Sequence, residues 1–163
     1  MILIAGPEST GKSTLAKRLS LSLGYNWIPE YGRTYLEQHG PTYTYKDIEV
    51  MALRHADLVR EVEDNKVILD TYLLNYKIWS IYKYGKVSPR ILSLLSQCSF
   101  DHILLMSPDV PWEEGPYREN PNDRDVLFDI YVNEFELLGW PYDVIEGIGE
   151  ERFEKALRIV NVL

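Results

Sequence analysis

Residues 2 to 14, Ile2-Leu3-Ile4-Ala5-Gly6-Pro7-Glu8-Ser9-Thr10-Gly11-Lys12-Ser13-Thr14, carry an apolar tetrapeptide straight into G-x-x-x-x-G-K-S and then into a helical stripe of Leu15, Leu19 and Leu23. A buried strand that ends in this spacing and is followed at once by a helix predicts a phosphate-binding loop. Gly6 and Gly11 admit the backbone angles that let successive N–H groups converge on one anion, Lys12 reaches the β- and γ-phosphates, and the Ser13 hydroxyl is placed to ligate Mg²⁺. The whole run from Gly6 to Thr14, including Pro7, Glu8, Ser9 and Thr10, is therefore the expected seat of a Mg-nucleotide. An ordinary glycine turn is the competing reading, and the strand and helix on either side weigh against it.

The rest of the chain reads as strands alternating with helices, which with the loop placed first predicts an α/β fold with a doubly wound parallel sheet and right-handed crossovers. The first helix should run from Lys12 to Leu23 and stop at Gly24. Tyr25 to Pro29 is the second strand, delivering Glu30-Tyr31-Gly32-Arg33 to the edge that holds the phosphate loop, because ligands of open α/β sheets sit beyond the carboxyl ends of the strands. There Glu30 is placed to take a proton from a substrate hydroxyl while Arg33 orients the substrate; the alternative is a surface ion pair on one helical face. A helix from Tyr45 to Asn65 opens on Thr44 and Asp47, with His55 on or beside its apolar stripe and expected in the core.

Lys66 to Thr71 reads as a third, buried strand presenting Asp70 at its tip, the expected Mg²⁺ partner, direct or through water. The helix Tyr72 to Tyr84 carries Tyr72, Tyr76, Trp79 and Tyr84, aromatic residues that either fill the core or wall a base-sized pocket. A short helix over Ile91 to Cys98 and a fourth strand over His102 to Met106 come next. Residues 108–125 form a Pro-rich, charged stretch too long for a plain connector, the expected lid. It brings Arg118 and Arg124, which as the lid closes can swing onto the transferring phosphate; a mobile surface loop is the alternative. A helix from Asp125 to Leu138, a fifth strand over Tyr142 to Ile145, and Gly147-Ile148-Gly149 opening a last helix from Glu150 to Val162 complete the chain. That G-x-G lacks the dinucleotide-binding spacing, and its expected use is a close approach to the adenine ring.

Composition narrows the function. At 163 residues and 45% hydrophobic content one domain, residues 1–163, with a real core is expected. A net charge of −8 without a basic stripe argues against nucleic acid. Neither a signal peptide nor a transmembrane stretch is visible, and Cys98, the only cysteine, is expected as core filling in a reducing cytoplasm. His39 and His102 lack partners at metal-ligand spacing, so no zinc site is expected.

The runs GPESTGKSTLA, EYGRTYLE, VILDT with LLNYKIWS, and DVPWEEGPYRENPNDR together resemble the ribosylnicotinamide kinase domain of NadR-type NAD-biosynthesis proteins and its stand-alone relatives, P-loop ATPase-like proteins grouped with the AAA domains. The resemblance implies a nucleoside-kinase-like P-loop NTPase fold, a five-stranded sheet in the order 2-3-1-4-5, ATP and Mg²⁺ as donor and cofactor, and phosphoryl transfer to the 5′-hydroxyl of nicotinamide riboside. It implies roles for Lys12, Ser13, Glu30, Arg33, Asp70, Arg118 and Arg124, with Tyr31 and Tyr72 as further acceptor-side positions. Two positions depart from the family pattern: Tyr72 stands where an Asp is frequent, and Pro29 precedes the EYGR glutamate where a Trp can stand. The chain also starts at the phosphate loop, so the adenylyltransferase and DNA-binding parts of longer members are not expected. The rival functions are an ATPase or switch module acting on a protein partner, a kinase for another small molecule, and an inactive nucleotide-binding domain.

Overall fold

The computed structural model describes residues 1–161 and carries a five-stranded, wholly parallel sheet in the order β2-β3-β1-β4-β5. The strands are β1 (Ile2–Ala5), β2 (Asn26–Ile28), β3 (Val67–Asp70), β4 (His102–Met106) and β5 (Asp143–Ile145). The helices are α1 (Lys12–Leu23), α2 (Tyr31–His39), α3 (Tyr45–Arg60), α4 (Leu73–Tyr84), α5 (Pro89–Leu95), α6 (Arg124–Leu138) and α7 (Glu150–Val160). The predicted sheet order and alternation are those observed.

Alternate side chains of the central strands enter two separate cores, as a parallel sheet covered on both faces requires. Leu3, Ala5, Leu69, Ile103 and Leu105 pack with residues of α2 through α6, whereas Ile2, Ile4, Ile68, Leu104 and Met106 pack under α1 and α7. With every strand parallel, all five carboxyl ends reach one edge, and the chain reverses winding direction on either side of β1, the position where α/β sheets hold ligands. Gly6, the first residue beyond β1, has φ 134°, and a Cβ there would lie 2.8 Å from the Met106 carbonyl oxygen, so only glycine lets the loop leave the sheet here.

Several boundaries differ from expectation for local reasons. The Tyr45 helix ends at Arg60 rather than Asn65, because Asp64 accepts the Lys66 N–H at 2.9 Å and turns the chain toward β3. At its start Thr44 and Asp47 form the expected capping box. The short helix spans Pro89–Leu95, not Ile91 to Cys98, since the Ser88 hydroxyl caps the Arg90 N–H and Pro89 occupies the first turn. The irregular stretch between β4 and α6 ends at Asp123, and Arg124 opens α6. The predicted end of the last helix, Val162, lies outside the described residues. No helix among the described residues is long and apolar enough to cross a membrane.

Candidate active site

The carboxyl edge of the sheet opens into a cleft of about 800 Å³, floored by Gly6 to Leu15 and walled by α2, α4, the β4–α6 segment and the start of α7. The phosphate loop turns through Ser9 (φ 55°) and Gly11 (φ 80°) into α1, whose N-terminal amides and dipole face the cleft. Lys12 Nζ donates to the Pro7 carbonyl at 2.6 Å, folded back along its own loop. The Thr10 hydroxyl donates to the same carbonyl at 2.9 Å, leaving its own carbonyl for a partner from α7.

Glu30 stands at the N-cap position of α2, just past β2, makes no side-chain bond to the helix end, and lines the cleft, as do Gly32, Arg33 and Leu36. Its Oε1 accepts a 3.4 Å bond from Asn75 Nδ2, and Asn75 Oδ1 in turn accepts the buried Tyr131 hydroxyl at 2.6 Å. The Gly32 N–H donates to the Tyr76 hydroxyl at 3.0 Å, and that oxygen lies 3.1 Å from His55 Nδ1, so three helices meet behind the glutamate. Glu30 and Arg33 form no ion pair with each other; the exposed Arg33 instead projects along the same wall.

Asp70 pairs in register with Ile4 one strand away from the loop and is 1% exposed. Its Oδ1 is buried without a partner, as is the hydroxyl of Thr71, a β-branched residue held at φ 63°. An uncommon backbone conformation and two orphaned polar atoms at the tip of one strand are costly unless a ligand completes them. The Ser13 hydroxyl is near enough to the Asp70 carboxylate to hold its pKa down, and the two supply oxygen ligands of the hard type that Mg²⁺ takes. Among the described residues no cluster of three His, Cys, Asp or Glu forms an all-protein cage, so phosphate oxygens or water have to complete such a shell.

The charges of this floor are mutually dependent. Burial lowers the Lys12 pKa, against the attraction of Glu30, Asp70 and Glu8. Burial likewise raises Glu30, opposed chiefly by Lys12, and raises Asp70, opposed by the Ser13 hydroxyl and Lys12. Lys12 and Glu30 are only half-buried in an open cleft, so water damps both shifts relative to a sealed core.

The β4–α6 segment is tied to the phosphate loop by residues of the loop itself. The Glu8 carboxylate accepts the Glu119 and Asn120 N–H groups, at 3.1 and 2.9 Å to Oε2, and Ser9 Oγ accepts the Glu113 N–H at 2.8 Å. Arg118 lines the cleft but donates to the Glu113 carbonyl of its own segment. Arg124, the other arginine expected to swing, is the first residue of α6 and here donates to the Ser9 carbonyl at 3.0 Å and the Val110 carbonyl at 2.9 Å, a strut between loop and lid.

Two expectations are corrected. Tyr72 does not line the cleft; it is 8% exposed and packs edge-on against His55 and Phe100 in the core. Tyr31 also faces the α2–α6 core rather than the cleft. Of the α4 aromatics Tyr76 is core, Tyr84 donates to the Tyr43 carbonyl at 3.0 Å, and Trp79 is the one that reaches the cleft, joined there by Tyr82. His55 is fully buried, as expected. Gly149 and Ile148 lie at the cleft rim beside Phe153 and Arg152.

Arg152 is a site residue that the sequence reading missed. Only 6% exposed, it donates to the Thr10 carbonyl at 2.6 Å and the Ser107 carbonyl at 3.0 Å, and it pairs with Asp109. It thereby clamps the phosphate loop, the end of β4 and the root of the lid. Its one local signal is an arginine at the third position of a helix whose first turn otherwise holds Glu150 and Glu151.

Comparison with known proteins agrees with this architecture. Over 118 residues the chain is 28% identical to the trifunctional NAD biosynthesis/regulator protein NadR of Salmonella typhimurium, covering 68% of this chain and 29% of that protein. The chain thus spans less than a third of that relative's length. A NadR protein solved in complex with NAD and AMP-PNP superposes with a TM-score of 0.80 at 21% identity, covering 98% of this chain and 48% of the other. The NadR structure in complex with NR gives a TM-score of 0.78 at 23% identity, over 98% and 50% of the two chains. Deoxyadenosine kinase from M. mycoides, in complex with dcmp and dcdp, matches end to end, 99% of each chain, with a TM-score of 0.68 at 18% identity. These likenesses establish a P-loop fold of the nucleoside-kinase type. A profile of the AAA domain matches residues 1–152, and with the phosphate loop and sheet order already in place, the chain belongs to the AAA domain family.

Proposed function

We propose that the protein is an ATP-dependent phosphotransferase that moves the γ-phosphate to the 5′-hydroxyl of a nucleoside, nicotinamide riboside being the acceptor, and that one domain carries both substrates. The observation that supports it most is the placement of Glu30: a carboxylate with a raised pKa, at the end of β2, facing Lys12 across the phosphate loop. The kinship with NadR, and the AMP-PNP and NR of its structures, support the choice of donor and acceptor.

In this reading the loop amides and Lys12 hold the β- and γ-phosphates, so Lys12 leaves the Pro7 carbonyl when nucleotide enters. Ser13 and Asp70 hold Mg²⁺, which when bound neutralises charge on the phosphate oxygens. Glu30 takes the proton of the acceptor hydroxyl as that oxygen bonds to the γ-phosphorus and the bond to the β-phosphate oxygen breaks, releasing ADP. Asn75 and the Gly32–Tyr76 bond hold the glutamate in place, and Arg33 orients the acceptor. Arg118 turns from the Glu113 carbonyl toward the transferring group as the lid seats, and Arg152 and Arg124 keep loop and lid in register. Gly149 at the rim gives the adenine ring close approach.

The test is a product assay with Mg-ATP and a panel of nucleosides, followed by mass spectrometry. Nicotinamide riboside should gain one phosphate with release of one ADP per product. ADP release without any phosphorylated nucleoside would replace this reading by an ATPase switch, and preference for a different acceptor would retain the kinase and change its substrate.

A further inference from the structure

Glu119, in the middle of the lid, is held from two directions. Its backbone N–H is taken by the Glu8 carboxylate of the phosphate loop, 3.1 Å to Oε2. Its own carboxylate accepts the Tyr43 hydroxyl at 2.6 Å and the Lys83 ammonium at 3.1 Å. Tyr43 is 8% exposed, and its oxygen also accepts Trp79 Nε1–H at 2.7 Å and Lys83 Nζ at 2.6 Å. The one proton and both lone pairs of that phenol are therefore committed. Trp79 in turn faces the cleft next to Gly32, where a Cβ would stand 3.4 Å from the indole and 3.6 Å from Glu30 Oε1. An unbroken chain of short polar contacts thus runs from a loop carboxylate through the lid to the wall that holds Glu30.

We propose that Glu119 is a positioning residue that couples occupancy of the phosphate loop to the placement of Trp79 in the acceptor wall. The proposal rests on the loop taking a nucleotide, as in the functional reading above. Phosphates entering the loop bring negative charge beside Glu8, whose carboxylate then holds the Glu119 and Asn120 amides in competition with a like charge. A shift of the lid backbone at Glu119 carries its carboxylate with it, and Tyr43, with no spare donor or acceptor, follows and moves the indole it holds. Because linkage is reciprocal, an acceptor that packs on Trp79 changes nucleotide affinity by the same factor as nucleotide changes its own. Were the side-chain half of this chain an ordinary surface pair, its removal would leave Trp79 indifferent to nucleotide.

The test needs no acceptor. The full chain is labelled with 5-fluorotryptophan, the Trp79 fluorine resonance is assigned by its loss in Trp79→Phe, and Mg-AMP-PNP is titrated while calorimetry reads saturation. In the wild type the Trp79 resonance should move on saturation. In Glu119→Ala it should stay at its nucleotide-free position, with nucleotide affinity within about threefold because only the backbone of this residue meets the loop. Glu119→Gln keeps an acceptor oxygen for Tyr43 and should restore most of the movement, which a general loosening of the lid would not. Equal movement in Glu119→Ala, or none in the saturated wild type, overturns the coupling. A nucleoside panel without phosphorylated product ends the kinase reading and leaves this result unaffected.

Discussion

The two walls of the cleft are built by different means. Behind Glu30 the wall is core: Gly32, Tyr76 and His55 come from three helices, the latter two fully buried, and their polar atoms bond to one another inside an apolar cluster. The lid, between β4 and α6, has no helix or strand, and from it Tyr117 packs against the core. It is held to the loop by side chains bonded to main-chain groups, Glu8 and Ser9 accepting from lid amides and Arg152 and Arg124 donating to carbonyls. A wall packed into the core opens only with the whole fold, whereas one held by a few half-exposed polar bonds opens locally at small cost. A kinase site needs both, a rigid seat for the base and a cover that lets nucleotide in and out.

The sharpest test of the rigid wall is Glu30→Gln, which keeps shape and removes the base. Transfer to the acceptor should fall by roughly 10²- to 10⁴-fold while Mg-ATP affinity, read by calorimetry, stays nearly intact. Joint loss of binding would move Glu30 from acceptor to metal site. The same variant has a stability signature. Folding raises the Glu30 pKa, so the folded state binds more protons than the unfolded one above the usual 4.5, and stability is lost as pH rises through the folded pKa. Glu30→Gln should therefore melt higher than wild type at pH 8, with the gap closing toward pH 4.5.

On the lid side the largest expected effect is Arg152→Met, which leaves two carbonyls and Asp109 without their donor. A loss of about 3 kcal/mol in denaturant unfolding is expected. A value under about 1 kcal/mol would mean that water replaces the clamp.

His55 probes the rigid wall by pH. Burial lowers its pKa to about 4, so the unfolded chain binds the proton first as pH falls below 6.5, and stability should drop between pH 6.5 and 4. In His55→Phe that part of the pH dependence should vanish, whatever the variant's absolute stability; an unchanged slope would place the titration elsewhere.

The smallest effect sharpens the contrast most. Glu8→Ala removes the acceptor of two lid amides and should speed hydrogen exchange at Glu119 and Asn120 about fivefold, with the Gly32 amide unchanged. Equal acceleration in both walls would show them to open as one unit.

Much of this molecule was readable before it was folded. Strand β1 and the G-x-x-x-x-G-K-S spacing specify a loop at the sheet's edge, and the bounds of α1, from Lys12 to the left-handed Gly24, follow from an apolar stripe and a stop residue, all local properties of the chain. Glu30 and Asp70 were legible because parallel strands deliver whatever follows them to one edge. The tertiary structure alone decided the rest. Tyr72 went to the core because α3 and the segment after α5 bring His55 and Phe100 against it. Arg124 became a strut, Arg152 a clamp on Thr10 across 142 positions, and Glu8 a latch on lid amides 111 and 112 residues away. Periodicity and capping act within one helical turn or one strand, so they leave a mark in neighbouring residues; a single charged side chain that pairs with a distant carbonyl or amide imposes no pattern on its neighbours, and only the fold reveals its partner.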